Sequence, residues 1–178
     1  EDEIRKKYID AEVIKIPVAD GGEGSVDAFL EAVGGEKINT IVKGPYFQRL
    51  ESFYGLIDEG ECAVLEMAAA SGLPLVENEK DPSRTTTYGV GELIKDAALK
   101  GVKKIIVGLG GSCTNDGGTG CAAALGVRFI NLRGERFIPV GETLNQIAQI
   151  DVSSIDPILK DIEIITMCDI DNPLYGKQ

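Results

Sequence analysis

Apolar and polar positions along the chain alternate or cluster in patterns that predict an α/β fold. Runs of apolar and β-branched residues predict strands at 11–19, 37–43, 50–57, 62–70, 105–107, 127–130 and 162–168, the fourth with an ambiguous alanine-rich end. Apolar residues at helical spacing predict helices at 25–33, 90–100 and 143–150, with shorter helical pieces at 122–125 and 156–160. Gly44 and Pro45 separate two of the strands, which predicts a β-hairpin or two adjacent strands.

The stretch 105–120, I-I-V-G-L-G-G-S-C-T-N-D-G-G-T-G, places a β-branched run directly before a glycine-rich loop. Glycines allow positive φ and close approach of backbone N–H groups to a ligand, and a helix beginning near Gly118 would point its positive end there. The alternative is an ordinary strand-to-helix turn in which Asn115 and Asp116 cap the helix. We expect an anion-binding loop formed by Gly110, Gly111, Ser112, Thr114, Asn115, Asp116, Gly117 and Gly118.

A second glycine-rich loop, D-G-G-E-G at 20–24, precedes the helix predicted at 25–33, so the order of strand, glycine loop and helix occurs twice. Asp20 and Glu23 project from this loop as candidate ligands for a metal ion or a hydroxyl group, and Gly21, Gly22 and Glu23 are candidates for binding substrate or phosphate. The alternative is a turn-forming aspartate and a first-turn glutamate favoured by the helix dipole.

The motif R-T-T-T-Y-G at 84–89 combines a cation with three hydroxyl groups at the start of a predicted helix. Arg84 has the planar fork that suits a carboxylate or a phosphate, and Thr85 and Thr86 offer hydroxyls to the same ligand. The alternative is that one threonine caps the helix, since capping needs only one.

Further carboxylates follow or lie within predicted strands. Asp169 and Asp171 come after the strand at 162–168, and carboxylates at i and i+2 on extended backbone point the same way, which suits a shared hard cation such as Mg²⁺. The alternative is an Asx-type turn before Pro173. Glu66 lies in an apolar segment, so we expect it to be buried or half-buried and to have a polar partner.

Charge and composition exclude several classes of protein. The chain has 178 residues and a net charge of −11, which argues against nucleic acid or an anionic membrane as a partner. Histidine is absent, which removes Ser-His-Asp and Cys-His catalysis and zinc sites built on imidazole. The four cysteines form no C-x-x-C pair and no apolar run is long enough to span a membrane, so a cytoplasmic location is expected.

Neither common nucleotide-binding motif is present. The chain has no G-x-x-x-x-G-K-[ST] sequence, and Cys113 stands where a G-x-G-x-x-G motif starting at Gly108 would need glycine. A standard P-loop or Rossmann site is therefore not expected.

Five motifs, taken in order, resemble those of the bacterial glycerate kinase family, the type without a P-loop. They are P-V-A-D-G-G-E-G at 17–24, E-M-A-A-A-S-G-L at 66–73, R-T-T-T-Y-G at 84–89, G-L-G-G-S-C-T-N-D-G-G-T-G at 108–120 and C-D-I-D-N-P-L-Y-G at 168–176. Cys113 stands where that family often has alanine. The chain lacks the family's D-S-F-K-G-S and G-E-G-x-D motifs and starts with an uncapped charged segment, so we expect a fragment of a longer protein.

The resemblance implies an α/β protein in which a restriction-endonuclease-like domain is inserted into a discontinuous flavodoxin-like domain. Residues 1–22 would be the end of the first flavodoxin-like segment, and residues 23–178 most of the inserted domain. It also implies ATP-dependent phosphorylation of D-glycerate with Mg²⁺, usually to 2-phosphoglycerate. D-Glycerate and ATP would then be the small-molecule partners. The oligomeric state is left open, and a homodimer is one of the alternatives.

The resemblance also makes chemical sense of the loops. Asp20 or Asp169 would align the attacking hydroxyl or the metal, Asp169 and Asp171 would hold the metal, and residues 110–118 would cradle an anionic group. Arg84, Thr85 and Thr86 would grip the substrate. Two rival hypotheses remain, a binding fragment that is inactive without groups from the missing segments, and a different metabolic enzyme such as an NAD-dependent one.

Overall fold

The computed structural model describes residues 2–14 and 18–171, which form two β-sheets with helices packed against them. The helices are α1 (Asp2–Lys7), α2 (Ser25–Val33), α3 (Ala68–Ser71), α4 (Tyr88–Leu99) and α5 (Thr119–Ala124). The strands are β1 (Glu36–Lys43), β2 (Arg49–Ile57), β3 (Cys62–Glu66), β4 (Lys104–Gly108), β5 (Arg128–Ile130), β6 (Arg136–Phe137), β7 (Gln149–Asp151) and β8 (Glu163–Met167). Short 3₁₀ segments cover Asp58–Gly60, Leu73–Val76, Gly141–Gln146 and Pro157–Leu159.

The larger sheet has the strand order β1-β2-β3-β4-β8 and is mixed. β1 and β2 form the expected antiparallel hairpin around Gly44 and Pro45, with Lys43 opposite Arg49 at the turn. β2 is also antiparallel to β3, whereas β3, β4 and β8 are parallel to one another. The α/β class predicted from the sequence is confirmed.

The larger sheet is covered by helices on its two faces. Leu65 of β3 packs in a core cluster with Leu93 of α4, while Val64, the next residue before it, packs with Val26 of α2. Successive side chains of a strand point to opposite faces, so β3 contributes to both clusters and all five of its residues are buried. The result is a three-layer arrangement with β3 at its centre.

β8 is more exposed than β4, the strand with which it pairs. It pairs with β4 along its length, and within the described residues it has no other strand neighbour. Ile164 and Ile165 are 44% and 38% exposed, although an inner strand would bury them.

Two predicted elements are wrong. Residues 11–14 and 18–20 form no strand, and residues 15–17 lie outside the described part of the chain. The helix predicted at 143–150 is a 3₁₀ segment that ends at Gln146, and Gln149–Asp151 is strand β7 instead. Ile147 and Ile150 fit helical spacing by chance, because β7 is fixed by tertiary pairing with β5. No helix in the described ranges is long and apolar enough to cross a membrane.

Candidate functional site

The carboxyl ends of the parallel strands β3, β4 and β8 lie side by side. Glu66, Gly108 and Met167, the last residues of these strands, are aligned in the register of the sheet. Loops that follow parallel strands meet at one edge, which is where ligands commonly bind in α/β folds. The segment after β4, residues 109–118, and the segment after β8, residues 168–171, therefore start at the same edge.

Loop 20–24 and loop 109–118 are in direct backbone contact at this edge. The Gly110 N–H donates to the carbonyl oxygen of Gly21 at 2.9 Å. A Cβ on Gly110 would lie only 2.8 Å from the Cα of Gly22, so the approach requires glycine. The structure thus brings together the two glycine-rich loops that the sequence placed almost 90 residues apart.

Loop 20–24 carries two exposed acidic side chains. Asp20 accepts the N–H of Gly22 at 2.9 Å through one oxygen, which is the turn geometry considered as the alternative for this residue. Glu23 lies against the other loop, since a Cβ on Gly111 would be 2.6 Å from both carboxylate oxygens of Glu23. Gly111 has a φ of 71°, so glycine is favoured there on both grounds.

Glu66 is buried, as expected, and its partner is the start of α2. One carboxylate oxygen accepts the N–H of Val26 at 2.7 Å. Burial raises the pKa of Glu66, and the backbone N–H groups of Val26 and Gly24 oppose that rise. Because only 3% of Glu66 is exposed, we interpret its carboxylate as a structural group that binds the start of α2.

Asp116 is buried in loop 109–118 and binds two helix starts. Its carboxylate accepts the N–H groups of Gly118 at 3.0 Å and Gly120 at 3.1 Å, at the beginning of α5. It also accepts the N–H and the hydroxyl of Thr87, just before α4, at 2.8 and 2.9 Å. α5 begins where the sequence predicts, but its first N–H groups are bound by Asp116, and this geometry favours the capping alternative for Asp116.

Other N–H groups of loop 109–118 are not bound by the part of the chain that the structure describes. Within residues 2–14 and 18–171, no acceptor is in hydrogen-bonding geometry with the N–H groups of Gly111, Ser112, Asn115, Asp116 and Gly117. The hydroxyls of Ser112 and Thr114 are 2.8 Å apart and partly buried, and the Asn115 side chain is exposed. Successive N–H groups without an internal acceptor are typical of a backbone anion site.

The threonines of the R-T-T-T motif point into the protein. The Thr85 hydroxyl donates to the carbonyl oxygen of Cys113 at 2.9 Å, and the Thr86 hydroxyl accepts the N–H of Tyr88 at 3.2 Å. Thr85 and Thr86 are fully buried, so the geometry favours a structural contribution and their role in binding stays a prediction. Arg84 is exposed and forms an ion pair with Glu79 at 3.0 Å, and its guanidinium lies 5.9 Å from the centre of the Tyr46 ring.

Asp169 and Asp171 are exposed and lie after β8, at the edge where the loops meet. Among the residues that the structure describes, no group of three or more Cys, Asp or Glu side chains is arranged to hold a metal ion. The carboxylates present still fit Mg²⁺, which proteins commonly hold through one or two carboxylates together with water and substrate phosphates. Their role as metal ligands stays a prediction.

Thr87, the third threonine of the motif, connects the two helix starts and is not among the residues that the sequence analysis assigned to the site. Its hydroxyl donates to Asp116 and accepts the N–H of Cys121 at 2.9 Å. The one available signal was the third threonine in the motif, since a single capping residue would have sufficed. The partner of Glu66 was also missed, because Val26 lies 40 residues away in the chain.

Known proteins are similar to this chain along most of its length. It is 52% identical to glycerate kinase from Bacillus cereus over 167 residues, which are 93% of this chain and 44% of that protein. It is 45% identical to glycerate 2-kinase from Escherichia coli K12 over 173 residues, which are 97% of this chain and 45% of that protein. A crystal structure described as a glycerate kinase 2 from Salmonella typhimurium LT2 matches with a TM-score of 0.85 and 45% identity, covering 97% of this chain and 46% of that one.

The chain therefore spans about half the length of the curated relatives it matches. The model of the glycerate kinase family matches residues 1–178. Because that match covers every residue of the chain, and the loops at the sheet edge carry the motifs on which the resemblance rested, the chain belongs to the glycerate kinase family.

Proposed function

We propose that this chain supplies the substrate-binding loops of a kinase that transfers phosphate from ATP to D-glycerate, with Mg²⁺, to give 2-phosphoglycerate. The observation that carries the proposal is the contact between loop 20–24 and loop 109–118, joined by the hydrogen bond from Gly110 to Gly21. This contact places Glu23 beside a run of available N–H groups. Glycerate has one carboxylate and two hydroxyls, so it needs both donors for its anion and carboxylates for its hydroxyl groups.

We assign the donor side of the site to loop 109–118. The available N–H groups and the side chains of Ser112, Thr114 and Asn115 bind an anionic group there, either the glycerate carboxylate or a phosphate. We assign Arg84 as the cation of this side of the site, since Thr85, the next residue in the chain, contacts Cys113 of the loop. In the proposed site, Thr85, Thr86 and Asp116 support loop 109–118 from its buried side and do not contact the ligand, because their polar atoms are bound within the protein.

We assign the carboxylate side to loop 20–24 and to the segment after β8. Asp20 or Asp169 orients the attacking hydroxyl, and Asp169 and Asp171 are the residues that would hold Mg²⁺. The ion would neutralise phosphate charge during transfer. Phosphoryl transfer depends mainly on positioning and charge stabilisation, which is why loops without a nucleophile suffice.

The finer domain division is part of the same proposal. Residues 1–22 belong to a flavodoxin-like domain, and residues 23–178 form most of a restriction-endonuclease-like domain inserted into it. A cytoplasmic location and a homodimer stay predictions of the same kind.

A second candidate function is binding without catalysis by this chain alone. Loop 20–24 and loop 109–118 contain no lysine or arginine, although transferred phosphate groups need cations. The described residues also hold no ready group of three metal ligands. Both observations favour a site completed by groups from outside this chain.

A coupled assay of ADP release tests the proposal, with ATP, Mg²⁺ and D-glycerate supplied to the full-length parent protein and to the 178-residue chain. Glycerate-dependent turnover by the parent alone supports the kinase and the binding role of this chain. Absence of turnover by a folded parent would refute the kinase assignment.

A matched pair of variants tests the site in the parent. Glu23→Gln removes the carboxylate that faces Gly111, and we expect kcat/KM for glycerate to fall about tenfold or more because a charged hydrogen bond is lost. Glu31→Gln makes the same chemical change at an exposed position of α2 and should leave kcat/KM unchanged. Equal kinetics for the two variants would remove Glu23 from the site.

A further inference from the structure

The start of α2 has no cap of its own. Its N-cap residue, Gly24, has a φ of 87° and no side chain with which to bind the first N–H groups. The next residue, Ser25, turns its hydroxyl back to accept the N–H of Gly21 at 3.1 Å. A helix start without a partner in its own sequence has to be satisfied from elsewhere.

Glu66 supplies the missing acceptor from the centre of the sheet. Its carboxylate accepts the Val26 N–H at 2.7 Å across 40 residues of chain. Glu66 ends β3, whose residues are all buried, and it is paired in register with Gly108 of β4. A side chain on a buried central strand is restricted in its movement, whereas a side chain on a surface loop is not.

Loop 20–24 is therefore attached at two points. At one side Gly21 accepts the N–H of Gly110, and at the other Val26 donates to Glu66. Asp20 and Glu23, the exposed carboxylates of the proposed site, lie on or next to the segment between these attachments. A shift at either point moves Glu23 relative to Gly111.

We propose that Glu66 is a positioning residue, whose buried carboxylate fixes the start of α2 and so sets the place of Asp20 and Glu23 against loop 109–118. Its importance for turnover rests on the proposed function, whereas its hold on the loop does not. Glu66 acts through the Val26 N–H and does not itself touch the substrate. The charged side chains that act on it electrostatically are Asp27 of α2 and Lys37 of β1.

Variants at this position in the full-length parent protein separate positioning from general stability. Glu66→Met keeps a similar length without an acceptor, and Glu66→Gln keeps an oxygen that can accept the Val26 N–H. Glu66→Asp shortens the side chain by one carbon, so the carboxylate no longer reaches. Ser52→Ala serves as the matched control, because it removes another buried hydrogen bond, from the Ser52 hydroxyl to the Ala69 carbonyl, away from the loop.

Hydrogen exchange measured by mass spectrometry gives a readout that does not depend on activity. In Glu66→Met and Glu66→Asp we expect amide exchange at residues 20–26 to speed up about tenfold, the effect of losing a helix cap. Glu66→Gln should stay within about threefold of the unmodified protein, because the acceptor is retained. If residues 20–26 exchange no faster in Glu66→Met and Glu66→Asp than in Ser52→Ala, the proposal is overturned.

Kinetics then connect the loop to catalysis. We expect Glu66→Met to lower kcat with glycerate about tenfold while KM for ATP changes less than about twofold, and Glu66→Gln to restore most of kcat. Glu66→Gln as slow as Glu66→Met would contradict positioning through the accepted hydrogen bond. If the unmodified parent shows no glycerate-dependent turnover while exchange at 20–26 still responds, the proposed function fails and the hold of Glu66 on the loop stands.

Discussion

Loop 20–24 and loop 109–118 each lead into a helix whose first N–H groups are bound by a buried carboxylate, but the two carboxylates have different origins. The start of α2 is bound by Glu66, which comes from β3 and lies far away in the sequence. The start of α5 is bound by Asp116, which belongs to the loop itself.

This difference determines which polar groups of each loop can bind a ligand. In the first loop the remote carboxylate does the capping, so both acidic side chains of the loop, Asp20 and Glu23, remain exposed. In the second loop Asp116 turns inward, and several backbone N–H groups are left without an acceptor among the described residues. One loop thus offers carboxylates and the other offers donors, and the two meet at Gly21 and Gly110.

The largest effect is expected from removing the carboxylate that belongs to loop 109–118. Asp116→Ala deletes the acceptor for four hydrogen bonds, from Thr87, Gly118 and Gly120, and leaves buried N–H groups unpaired. We expect the free energy of unfolding to fall by about 3 to 5 kcal/mol, measured by urea denaturation.

Asp116→Asn is the matched control for this change. The amide keeps one acceptor oxygen but turns an NH₂ group toward backbone donors, so we expect a loss between zero and that of Asp116→Ala. If Asp116 acts only from behind the loop, KM for glycerate in folded Asp116→Asn should change little. A large rise in KM with normal stability would instead place Asp116 in contact with the substrate.

The contact between the two loops is the next target. Gly110→Ala would put a Cβ 2.8 Å from the Cα of Gly22, backbone against backbone, so the loops must separate. We expect the free energy of unfolding to fall by about 1 to 3 kcal/mol and kcat/KM for glycerate in the parent to fall about tenfold or more. The separation should also speed up amide exchange in loop 20–24.

Gly44→Ala is the control for Gly110→Ala. Its Cβ would meet the end of the exposed Gln48 side chain, which can move aside at the cost of the hydrogen bond that it accepts from the Tyr46 N–H. We therefore expect a smaller loss of stability than for Gly110→Ala and no change in kinetics. Full activity of Gly110→Ala would show that the two loops work independently.

The comparison also shows how far the sequence could predict this fold and site. Local signals were sufficient for the hairpin around Gly44 and for α2, whose predicted range 25–33 is that observed. The burial of Glu66 could be predicted from its apolar neighbours, but not its partner Val26, because no local pattern encodes a contact between strand and distant helix. The contacts of Thr87 with Asp116 and Cys121 could not be predicted for the same reason.

The places where prediction failed are those where tertiary contacts override local pattern. Ile150 fits the spacing of a helix, yet it lies in β7 opposite Phe129 of β5. The sequence left Asp116 open between a site residue and a helix cap, and the structure shows that its oxygens bind Thr87 and the start of α5. The structure brings Gly21 and Gly110 into contact, whereas no pattern in the sequence indicates in which direction each side chain of the two loops points.

The pH dependence of stability is a further test of Glu66, the carboxylate of β3 that binds the start of α2. Burial raises the pKa of Glu66 above its usual value of 4.5, and the N–H groups of Val26 and Gly24 oppose this rise. A pKa higher in the folded than in the unfolded state means that its contribution to stability is fully present below the unfolded value and is lost as pH rises through the folded value. Glu66→Gln cannot titrate, so its stability relative to the unmodified chain should rise as the pH increases from 4.5 upward.

Urea denaturation across this pH range measures the difference between the two proteins. Glu31→Gln, an exposed change on α2, corrects for general effects of removing one negative charge. If the free energies of unfolding of Glu66→Gln and the unmodified chain differ by the same amount at every pH, titration of Glu66 does not contribute to the pH dependence of stability.

The smallest effect on stability is expected at Arg84, which tests whether the donor side of the site extends beyond loop 109–118. Arg84 is exposed and pairs with Glu79 at 3.0 Å, so Arg84→Ala should change the free energy of unfolding by less than about 1 kcal/mol. If its guanidinium binds the anionic group of the substrate, KM for glycerate should rise about tenfold. Glu79→Gln breaks the same ion pair but leaves the cation free, so KM should then stay constant or fall. An unchanged KM in Arg84→Ala would show that Arg84 does not bind the substrate, and it would leave loop 109–118 as the donor side of the site.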